Sequence, residues 1–409
     1  MRLLHTSDWH LGQHFMGKSR QAEHQALIAW LLAEVEVQAV DAVLVAGDIF
    51  DTGTPPSYAR ELYSQLVVGL HAAGVGLLLL GGNHDSVATL DESRELLARL
   101  GATVVSAAAG AAPLVVLPQR DGAPGCIVAA IPFIRPRDVL QSQAGQSAED
   151  KQLSLQAAIQ QHYAAAFVAA VARQRELQSK LGRRLPLIAT GHLTTVGAST
   201  SEAVREIYVG ALEAFPTSAF PPADYIALGH IHQPQKVGGL EHIRYSGSPL
   251  PLGFDEARQQ KEMLLVDVDA DGLQAVTPLP VPRFQALVAI SGNLATLAGA
   301  IGAAAAEGSR ERPAWLEVTV AEDDYLADLP ARIEALTEGW PVEVLRIRKA
   351  RGNATARLAA ETSERLDELS PHEVFARRLA QEELTEALQQ GLNERYCAIV
   401  AELQGGEGA

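Results

Sequence analysis

Short apolar runs alternate with segments of helical periodicity through the first hundred residues of the chain. The runs at 42–46 and 75–80 consist of Val, Leu, Ala and Gly, a composition typical of buried strands. Between them, apolar residues recur at helical spacing in 25–40 and 58–71. Strands separated by helices predict βαβ units and a largely parallel central sheet. The other elements predicted in this region are a strand at 3–4, a helix at 92–100 and a strand at 102–106.

The pattern changes in the middle of the chain. A stretch rich in Ala and Gln, about 150–181, is strongly helical by propensity. Two later apolar runs each lead into a Gly-His pair, and Gly238-Gly239 indicates the turn of a hairpin. We expect antiparallel strands to extend the fold in this half. The strands predicted here are 114–117, 126–131, 185–189, 224–228, a hairpin over 236–245, and 263–268.

Three alternate prolines, Pro278, Pro280 and Pro282, predict a stiff, extended connector and a domain boundary. Beyond them the pattern is strand, helix, strand, helix, strand, which predicts a small α+β domain. The elements of that domain are predicted at 285–290, 294–306, 315–320, 330–336 and 342–347. The last segment is helical, and Ser370-Pro371 followed by Glu373 has the form of a helix start. We therefore expect a main domain at 1–280, a small domain at 281–350 and a C-terminal helical segment at 351–409.

The charge of the chain limits how it can meet nucleic acid. Its 409 residues carry a formal net charge of -16. An acidic chain does not attract nucleic acid through its overall field, so a DNA substrate would require metals, a local basic patch or a partner. One compact basic run is consistent with either DNA contact or a solvated strand end. It consists of Arg346, Arg348, Lys349 and Arg351.

Cysteine usage and hydropathy indicate the compartment. Cys126 and Cys397 are far apart and lack a metal-type spacing, which fits a reducing environment without a disulfide framework. The first residues have no apolar stretch of the signal-peptide kind, and no apolar run approaches the length of a membrane span. We expect a cytoplasmic protein that does not associate with membranes.

Asp, Asn and His side chains follow the apolar runs at five points. Because the ends of neighbouring strands meet at one edge of a sheet, we expect these side chains to gather there. A site for two divalent ions needs one carboxylate that can bridge them, with Asp, Asn and His completing each shell. Asp48, which follows a central strand, is the candidate bridge. The candidate ligands are Asp8, His10, Asp48, Asn83, His192, His230 and His232.

Such a pair of ions supplies the chemistry of phosphoester hydrolysis. Two ions about 4 Å apart lower the pKa of a bound water and neutralise the phosphate oxygens. We expect His84, next to a ligand, to stabilise the transition state or to donate a proton to the leaving oxygen. Asp85 is expected to hold the His84 ring in position. Asp51 is expected to support the site rather than to bind metal.

Each of these segments alone is a weak signal, because a lone Asp at a strand end is more often a turn or cap residue. Their joint occurrence, in order and at strand ends, makes a chance pattern improbable. A glycine precedes a candidate ligand at four positions, where it permits a close backbone approach. These are Gly47, Gly82, Gly191 and Gly229. Trp9 is expected to pack beside the site, with stacking on a base as the alternative.

The segments D-x-H, G-D, G-N-H-D, G-H and G-H-x-H resemble the signature of calcineurin-like metallophosphoesterases. The stretches 3–12, 47–51, 190–194 and 227–232 are further similar to SbcD-type exonuclease subunits, as is the region around 370–375. These subunits are bacterial relatives of the break-repair nuclease of archaea and eukaryotes. The resemblance implies an α/β protein, α+β overall: a four-layer β-sandwich flanked by helices, with a small α+β capping domain and C-terminal helices.

The resemblance also implies an activity and partners. The family cleaves DNA with manganese, as a double-strand exonuclease and a single-strand or hairpin endonuclease in DNA repair, recombination and replication. It works as a homodimer within a heterotetramer completed by an SMC-like ATPase, SbcC, docked on the C-terminal helices. By position, the resemblance implies that Asp8, His10, Asp48 and His232 would hold one ion, and that Asp48, Asn83, His192 and His230 would hold the other. It also implies that His84 would be the catalytic histidine, which binds no metal.

Two other functions stay open at this point. A phosphodiesterase or phosphatase for a non-DNA substrate has the same site, although compact members of that class need no extra domain or docking helices. A non-enzymatic protein that tethers the ATPase is the third possibility, and the intact ligand set argues against it.

Overall fold

The computed structural model describes residues 1–108, 110–139, 148–199, 214–321, 328–350 and 395 of the chain. The chain forms two compact units, of which the first comprises Met1–Val318 with Asp328–Ile347. The second comprises Thr319–Ala327 with Arg348–Ala409. The predicted C-terminal helices, including the helix start at Ser370-Pro371, lie outside the described residues.

The described part of the chain contains seventeen strands. They are β1 (Arg2–Thr6), β2 (His14–Phe15), β3 (Lys18–Ser19), β4 (Ala42–Val45), β5 (Gly76–Leu80), β6 (Ala102–Val105), β7 (Leu114–Pro118), β8 (Pro124–Ala129), β9 (Leu187–His192), β10 (Tyr225–Gly229), β11 (Gln235–Val237), β12 (Leu240–Tyr245), β13 (Glu262–Asp269), β14 (Gly272–Pro280), β15 (Leu287–Gly292), β16 (Ala314–Val320) and β17 (Val342–Lys349).

Within the described residues, eight α-helices connect or cover these strands. They are α1 (Gln21–Val37), α2 (Ser57–Ala72), α3 (Val87–Asp91), α4 (Arg94–Arg99), α5 (Pro136–Val139), α6 (Ala148–Leu181), α7 (Leu294–Ala305) and α8 (Leu329–Thr337). Short 3₁₀ turns occur at Thr217–Ala219 and Phe254–Glu256. Within the described residues, no helix has the length and apolar character needed to cross a membrane.

The first sheet has the strand order β14-β13-β1-β4-β5-β6. Strands β1, β4, β5 and β6 are parallel, as the alternation of strands and helices predicts. The hairpin of β13 and β14 adds to the β1 edge in antiparallel orientation. The carboxyl ends of the four parallel strands therefore lie at one edge, where the candidate residues follow.

The second sheet has the order β11-β12-β10-β9-β8-β7, and it corrects the sequence prediction. Its inner strands β8, β9, β10 and β12 are parallel, and only β7 and β11 are antiparallel to their neighbours. Long connections, such as the one through α6, allow these parallel crossovers. The prediction of antiparallel strands is thus wrong for β9 and β10, and right for the edges.

The two sheets pack face to face between layers of helices. One cluster of buried side chains, including Leu44, Leu78 and Ile188, fills the space between the sheets. Leu27 of α1 and Leu66 of α2 cover the outer face of the first sheet. Tyr163 of α6 packs in the cluster on the second sheet. The result is the four-layer α/β arrangement that the resemblance implied.

The proline-rich segment is part of a strand rather than a free connector. Pro278 and Pro280 lie in β14, paired with Leu264 and Glu262 of β13. A strand at the sheet edge tolerates proline because its outward N–H positions need no ladder bond. The expectation of a stiff connector is therefore wrong for these two residues.

The segment expected to form a small domain has the predicted order of strands and helices. Its sheet has the order β15-β16-β17, with α7 and α8 between successive strands. Phe15, from the hairpin of β2 and β3, stacks on Trp315 with ring centroids 5.9 Å apart. Phe254 packs in the same buried cluster with Leu287. Aromatic contacts thus join the small sheet to the loops around the candidate site.

Candidate metal centre

All nine candidate site residues lie together at the carboxyl ends of β1, β4, β5, β9 and β10. Three groups of side chains offer one ligand atom per residue, with the atoms of each group within 4.8 Å of one another. The groups are Asp8 with His10 and His232, His10 with Asp48 and His84, and Asp48 with His192 and His230. Asn83 contacts the third group through its side-chain oxygen.

The backbone at the site is strained. In the described residues, six non-glycine residues have positive φ, and four of them are candidate ligands. They are Asp8 (54°), His10 (47°), Asp48 (51°) and His230 (94°). A non-glycine residue in this region costs about 1–3 kcal/mol, and such residues cluster at functional sites. This conformation turns the backbone sharply after each strand and directs the side chain into the cluster.

Two glycines permit the close packing of neighbouring strand ends. A Cβ at Gly82 would overlap Asp48 Oδ1, and a Cβ at Gly47 would overlap the ring of His192. Gly47 also has a φ of +96°, which an L side chain rarely adopts. The close approach expected from the Gly-ligand pairs is present at both positions.

Asp48 lies between the groups. Its Oδ2 is 3.3 Å from His192 Nε2 and 3.7 Å from His10 Nε2, while Oδ1 accepts the backbone N–H of His84 at 2.9 Å. Burial favours the neutral acid, but the neighbouring histidines, His192 above all, outweigh it and hold the pKa of Asp48 below its ordinary value. Asp48 is therefore a buried carboxylate that faces His10 of the first group and His192 of the third.

The oxygen atoms around the His192 ring stabilise a positive charge. Its Nδ1 lies 2.9 Å from the carbonyl oxygen of Ala46, to which the ring donates a hydrogen bond. Its Nε2 then faces two oxygens, Asn83 Oδ1 at 2.9 Å and Asp48 Oδ2 at 3.3 Å. Burial opposes protonation, yet the Asp48 carboxylate outweighs it and raises the pKa of His192 to about 9. A cation at this point would meet the same oxygens.

His230 completes this group as a neutral ring. Its Nδ1 lies 3.2 Å from Asn83 Oδ1, and its Nε2 is buried without a hydrogen-bond partner. Burial and the charge on His192 lower the pKa of His230 well below its ordinary value. The ring therefore keeps a lone pair available to a metal.

The rings of the first group are oriented by carboxylates. His10 Nδ1 lies 3.1 Å from Asp51 Oδ1, and His232 Nδ1 lies 3.0 Å from Glu256 Oε1. Each ring thus directs Nε2 toward the group, and His10 Nε2 is buried without a hydrogen-bond partner. Asp8 accepts hydrogen bonds from Ser7 Oγ at 2.6 Å and from the His230 backbone N–H at 3.1 Å. Asp51 supports the site in the way expected.

Asp85 has a different role from the expected one. Its carboxylate accepts backbone N–H groups of Ile49, Phe50 and Gly82 at 3.1, 2.9 and 2.9 Å. Burial, followed by the nearby Asp48 charge, raises the pKa of Asp85 to about 6. Asp85 therefore ties the loop after β4 to the loop after β5. The expectation that it holds the His84 ring is wrong, because that ring is held elsewhere.

The His84 ring is held by a backbone carbonyl. Its Nδ1 lies 2.8 Å from the carbonyl oxygen of Asp51, so Nδ1–H donates to that oxygen. The His84 ring also stands edge-on to His10, with ring centroids 4.6 Å apart. His84 is thus fixed at the border of the first group.

Trp9 is a packing residue. It is fully buried, and its Nε1–H donates to Thr6 Oγ1 at 2.8 Å. A side chain in this position has no face available to a base, so the packing interpretation is confirmed.

Sequence reasoning missed Glu256 and Lys261. Both are buried behind His232, and Lys261 Nζ lies 2.8 Å from Glu256 Oε2. Neither follows an apolar run, so the strand-end signal could not find them. An acidic and a basic residue five apart after a Gly-Phe turn is too common a pattern to indicate a site.

The donor set fits two divalent cations. Two carboxylates, an amide oxygen and imidazole nitrogens point inward, and His10 Nε2 and His230 Nε2 are buried without hydrogen-bond partners. Unpartnered buried nitrogens are costly unless a ligand satisfies them. Oxygen and imidazole donors suit Mn, Mg, Fe and Zn.

Comparison with known proteins shows which family the chain belongs to. The family model for calcineurin-like phosphoesterases matches residues 1–234, more than half of the chain. The fold and the site therefore define a calcineurin-like phosphoesterase. A second model, described as the type 5 capsule protein repressor C-terminal domain, matches residues 283–383.

Curated relatives narrow the family. The SbcD component of the nuclease SbcCD from Escherichia coli K12 is 51% identical over 409 residues, which span 99% of each chain. Its counterpart of the same name from Rhodobacter capsulatus is 33% identical over 92% of this chain and 94% of its own. The chain belongs to the SbcD family of nucleases, which are metal-dependent phosphodiester hydrolases.

Among solved structures, a dimetal phosphatase from Danio rerio matches with a TM-score of 0.36 and 11% identity. The match covers 69% of this chain and 99% of the other. A likeness at this level supports no inference about the site.

Proposed function

We propose that this chain hydrolyses DNA phosphodiester bonds with two divalent ions held around Asp48, as the nuclease component of an SbcCD-type complex. The position of Asp48 carries the proposal. Its Oδ2 lies 3.3 Å from His192 Nε2 of the third ligand group and 3.7 Å from His10 Nε2 of the first. A carboxylate in that place could bridge two ions, which would stabilise the attacking and leaving oxygens of an in-line displacement at phosphorus.

The ligands divide between the two ions by their groups. Asp8, His10 and His232 would hold one ion with Asp48, and Asn83, His192 and His230 would hold the other with Asp48. When bound, the ions supply an activated water and positive charge against the phosphate oxygens.

The side chains around the ions have separate tasks. Ala46, Asp51 and Glu256 fix the histidine rings at Nδ1, so that each ring offers Nε2 to the centre. His84 donates Nδ1–H to the Asp51 carbonyl, and its Nε2 would be the atom directed to substrate. There it stabilises the phosphate charge or protonates the leaving oxygen.

Manganese is the ion we favour. The donors are carboxylate, amide and imidazole, without a thiolate, and this set suits Mn. The resemblance to the SbcD-type nucleases points to the same metal.

The substrate and partner follow from the family and the charge. The relatives named as parts of SbcCD imply an SbcC-type SMC-like ATPase as partner. Because the chain has a formal net charge of -16, a partner that binds the duplex would increase its affinity for DNA. We propose a homodimer of this chain within a heterotetramer, acting in the cytoplasm on DNA ends and hairpins in repair.

The division of labour along the chain is part of the proposal. Residues 1–280 form the nuclease domain, and residues 281–350 form a capping domain near the DNA. Residues 351–409 dock the coiled coil of the ATPase. The contacts of Phe15 and Phe254 with the small sheet support a capping domain placed beside the metal centre.

A nuclease assay tests the proposal. The full chain, with and without its ATPase partner and ATP, is incubated with end-labelled linear duplex in Mn²⁺ or in chelator. Metal-dependent release of nucleotides from free and blocked ends supports it. Intact DNA with bound metal verified would contradict it, and rapid turnover of a cyclic nucleotide or phosphopeptide in those samples would favour the non-DNA alternative.

A further inference from the structure

Glu256 is a buried carboxylate beside a candidate ligand. Its side chain is 0% exposed, and Oε1 lies 3.0 Å from His232 Nδ1. Its Oε2 accepts the backbone N–H of Leu252 at 2.9 Å. Burying a carboxylate away from water costs free energy, so a buried carboxylate needs hydrogen bonds and an opposite charge that compensate for the loss of hydration. The contact with His232 is therefore a built part of the fold.

Lys261 supplies the compensating charge and holds the same histidine by its backbone. Its Nζ lies 2.8 Å from Glu256 Oε2, 3.0 Å from the carbonyl oxygen of His232 and 3.1 Å from Ser248 Oγ. Burial favours the neutral acid, but the His232 hydrogen bond and the Lys261 charge hold the pKa of Glu256 below its ordinary value. One ion pair thus fixes both the ring and the main chain of His232.

The turn that carries Glu256 is itself anchored. Phe254, two residues earlier, is buried with its ring centroid 5.2 Å from that of Phe15. The guanidinium of Arg346 lies over the same ring, 5.8 Å from its centroid. These contacts pack the turn in place, which limits the movement of Glu256.

We propose that Glu256 is a positioning residue that fixes the His232 ring and thereby sets the affinity for one of the two ions. The inference rests on the proposed function in assigning the Asp8, His10 and His232 group to an ion. The other ion does not depend on Glu256, because His192 donates its Nδ1–H to the carbonyl of Ala46. Loss of Glu256 therefore weakens one binding event and leaves the other.

Calorimetric titration of the chelator-stripped full chain with Mn²⁺ tests this directly. We expect Glu256→Gln to weaken one of two Mn²⁺ binding events by about 10- to 100-fold, the range for residues that orient metal ligands. The other event should stay within about threefold. Glu256→Asp, which keeps the carboxylate, should recover part of the loss.

Glu23→Gln is the matched control. Glu23 is also buried, and its carboxylate pairs with Arg20 at 2.6 Å. This change disrupts a buried ion pair outside the ligand groups, and both Mn²⁺ affinities should stay near wild type. The positioning role would be overturned if both variants weakened the two Mn²⁺ binding events to the same extent. It would also be overturned if Glu256→Gln left both Mn²⁺ affinities unchanged.

DNA cleavage by the same preparations separates the two proposals. Suppose that Glu256→Gln loses Mn²⁺ affinity at one binding event only, while the wild-type chain binds metal but leaves DNA intact. That result overturns the proposed function and keeps the positioning role. Unchanged Mn²⁺ binding in Glu256→Gln with an active wild-type chain overturns the positioning role alone.

Discussion

At the scale of residues, the centre depends on fixed orientations more than on the ligand types. His10, His192 and His232 each have Nδ1 held by an oxygen, from Asp51, Ala46 and Glu256 respectively. Because Nδ1 is occupied, Nε2 is the atom directed to the cluster in all three. Rings held in this way need no rearrangement when a cation arrives, which favours tight binding.

His84→Ala should separate chemistry from metal binding. We expect the rate of DNA cleavage to fall by about 10²- to 10⁴-fold, the usual contribution of a positioned acid or base. The number of Mn²⁺ ions bound per chain, measured by elemental analysis, should not change. Loss of an ion in this variant would show that His84 is a ligand.

Gly82→Ala should damage the centre itself. The new Cβ would overlap Asp48 Oδ1 and Asp48 N, so the Asp48 carboxylate would have to move. We expect Mn²⁺ affinity to fall about tenfold or more, as for other changes that displace ligands.

Gly299→Ala is the control for that variant, since a Cβ at Gly299 in α7 meets nothing within 4 Å. It should bind Mn²⁺ as the wild type does. Normal binding by Gly82→Ala would mean that Asp48 does not have to stay where it is.

At the scale of elements, strand β1 carries a buried histidine into the space next to Tyr225. His5 is 1% exposed, and its Nδ1 lies 2.9 Å from the Tyr225 hydroxyl. Burial lowers the pKa of His5 to about 3. The unfolded chain therefore takes up a proton below about pH 6.5 that the native state refuses down to about pH 3, and acid favours unfolding in that window.

His5→Gln should reduce this sensitivity. The free energy of unfolding of the metal-free chain, from urea titrations between about pH 4.5 and 7, should fall less steeply with acid by up to about 1.4 kcal/mol per pH unit. The exposed His71 of α2 is the control for the substitution itself, and His71→Gln should leave the free energy of unfolding at neutral pH near the wild-type value. An unchanged slope in His5→Gln would contradict the assignment.

Helices and strands with a regular hydrophobic pattern were predictable from the sequence. Features that depend on contacts with distant segments of the chain were not. The strand at 42–46 and the helix at 58–71 agree with β4 and α2 because their patterns are local. The same holds for Asp48 and Asn83, which follow such strands. The parallel pairing of β9 with β10 depends on which strands meet in space, and the prolines of β14 depend on its place at the edge. Glu256 and the left-handed φ of Asp8 depend on the finished centre, so no local signal announces them.

At the scale of the whole molecule, the acidic charge disfavours DNA binding by the chain alone. With a formal net charge of -16, we expect the chain alone to bind duplex DNA weakly at physiological salt. Its SbcC-type partner would then supply most of the affinity, and fluorescence anisotropy with labelled duplex measures both cases. Equal affinity with and without the partner would place the DNA-binding surface on this chain.

Removal of the C-terminal segment should separate folding from assembly. A chain that ends at about residue 365 keeps every residue of the metal centre and both sheets. We expect it to bind Mn²⁺ normally and to lose the ATPase in size-exclusion chromatography. Retained binding would move the docking site to another part of the chain.

Asp48 is proposed to bridge two ions that cleave DNA. The most direct measurement compares wild type with Asp48→Asn, each with its ATPase partner, in Mn²⁺-dependent degradation of a linear duplex, with bound metal counted in the same samples. The wild type should carry two ions per chain and degrade the duplex, and Asp48→Asn should lose metal and become inactive. Cleavage at the wild-type rate by Asp48→Asn, or no cleavage by a wild type that holds both ions, would contradict the account.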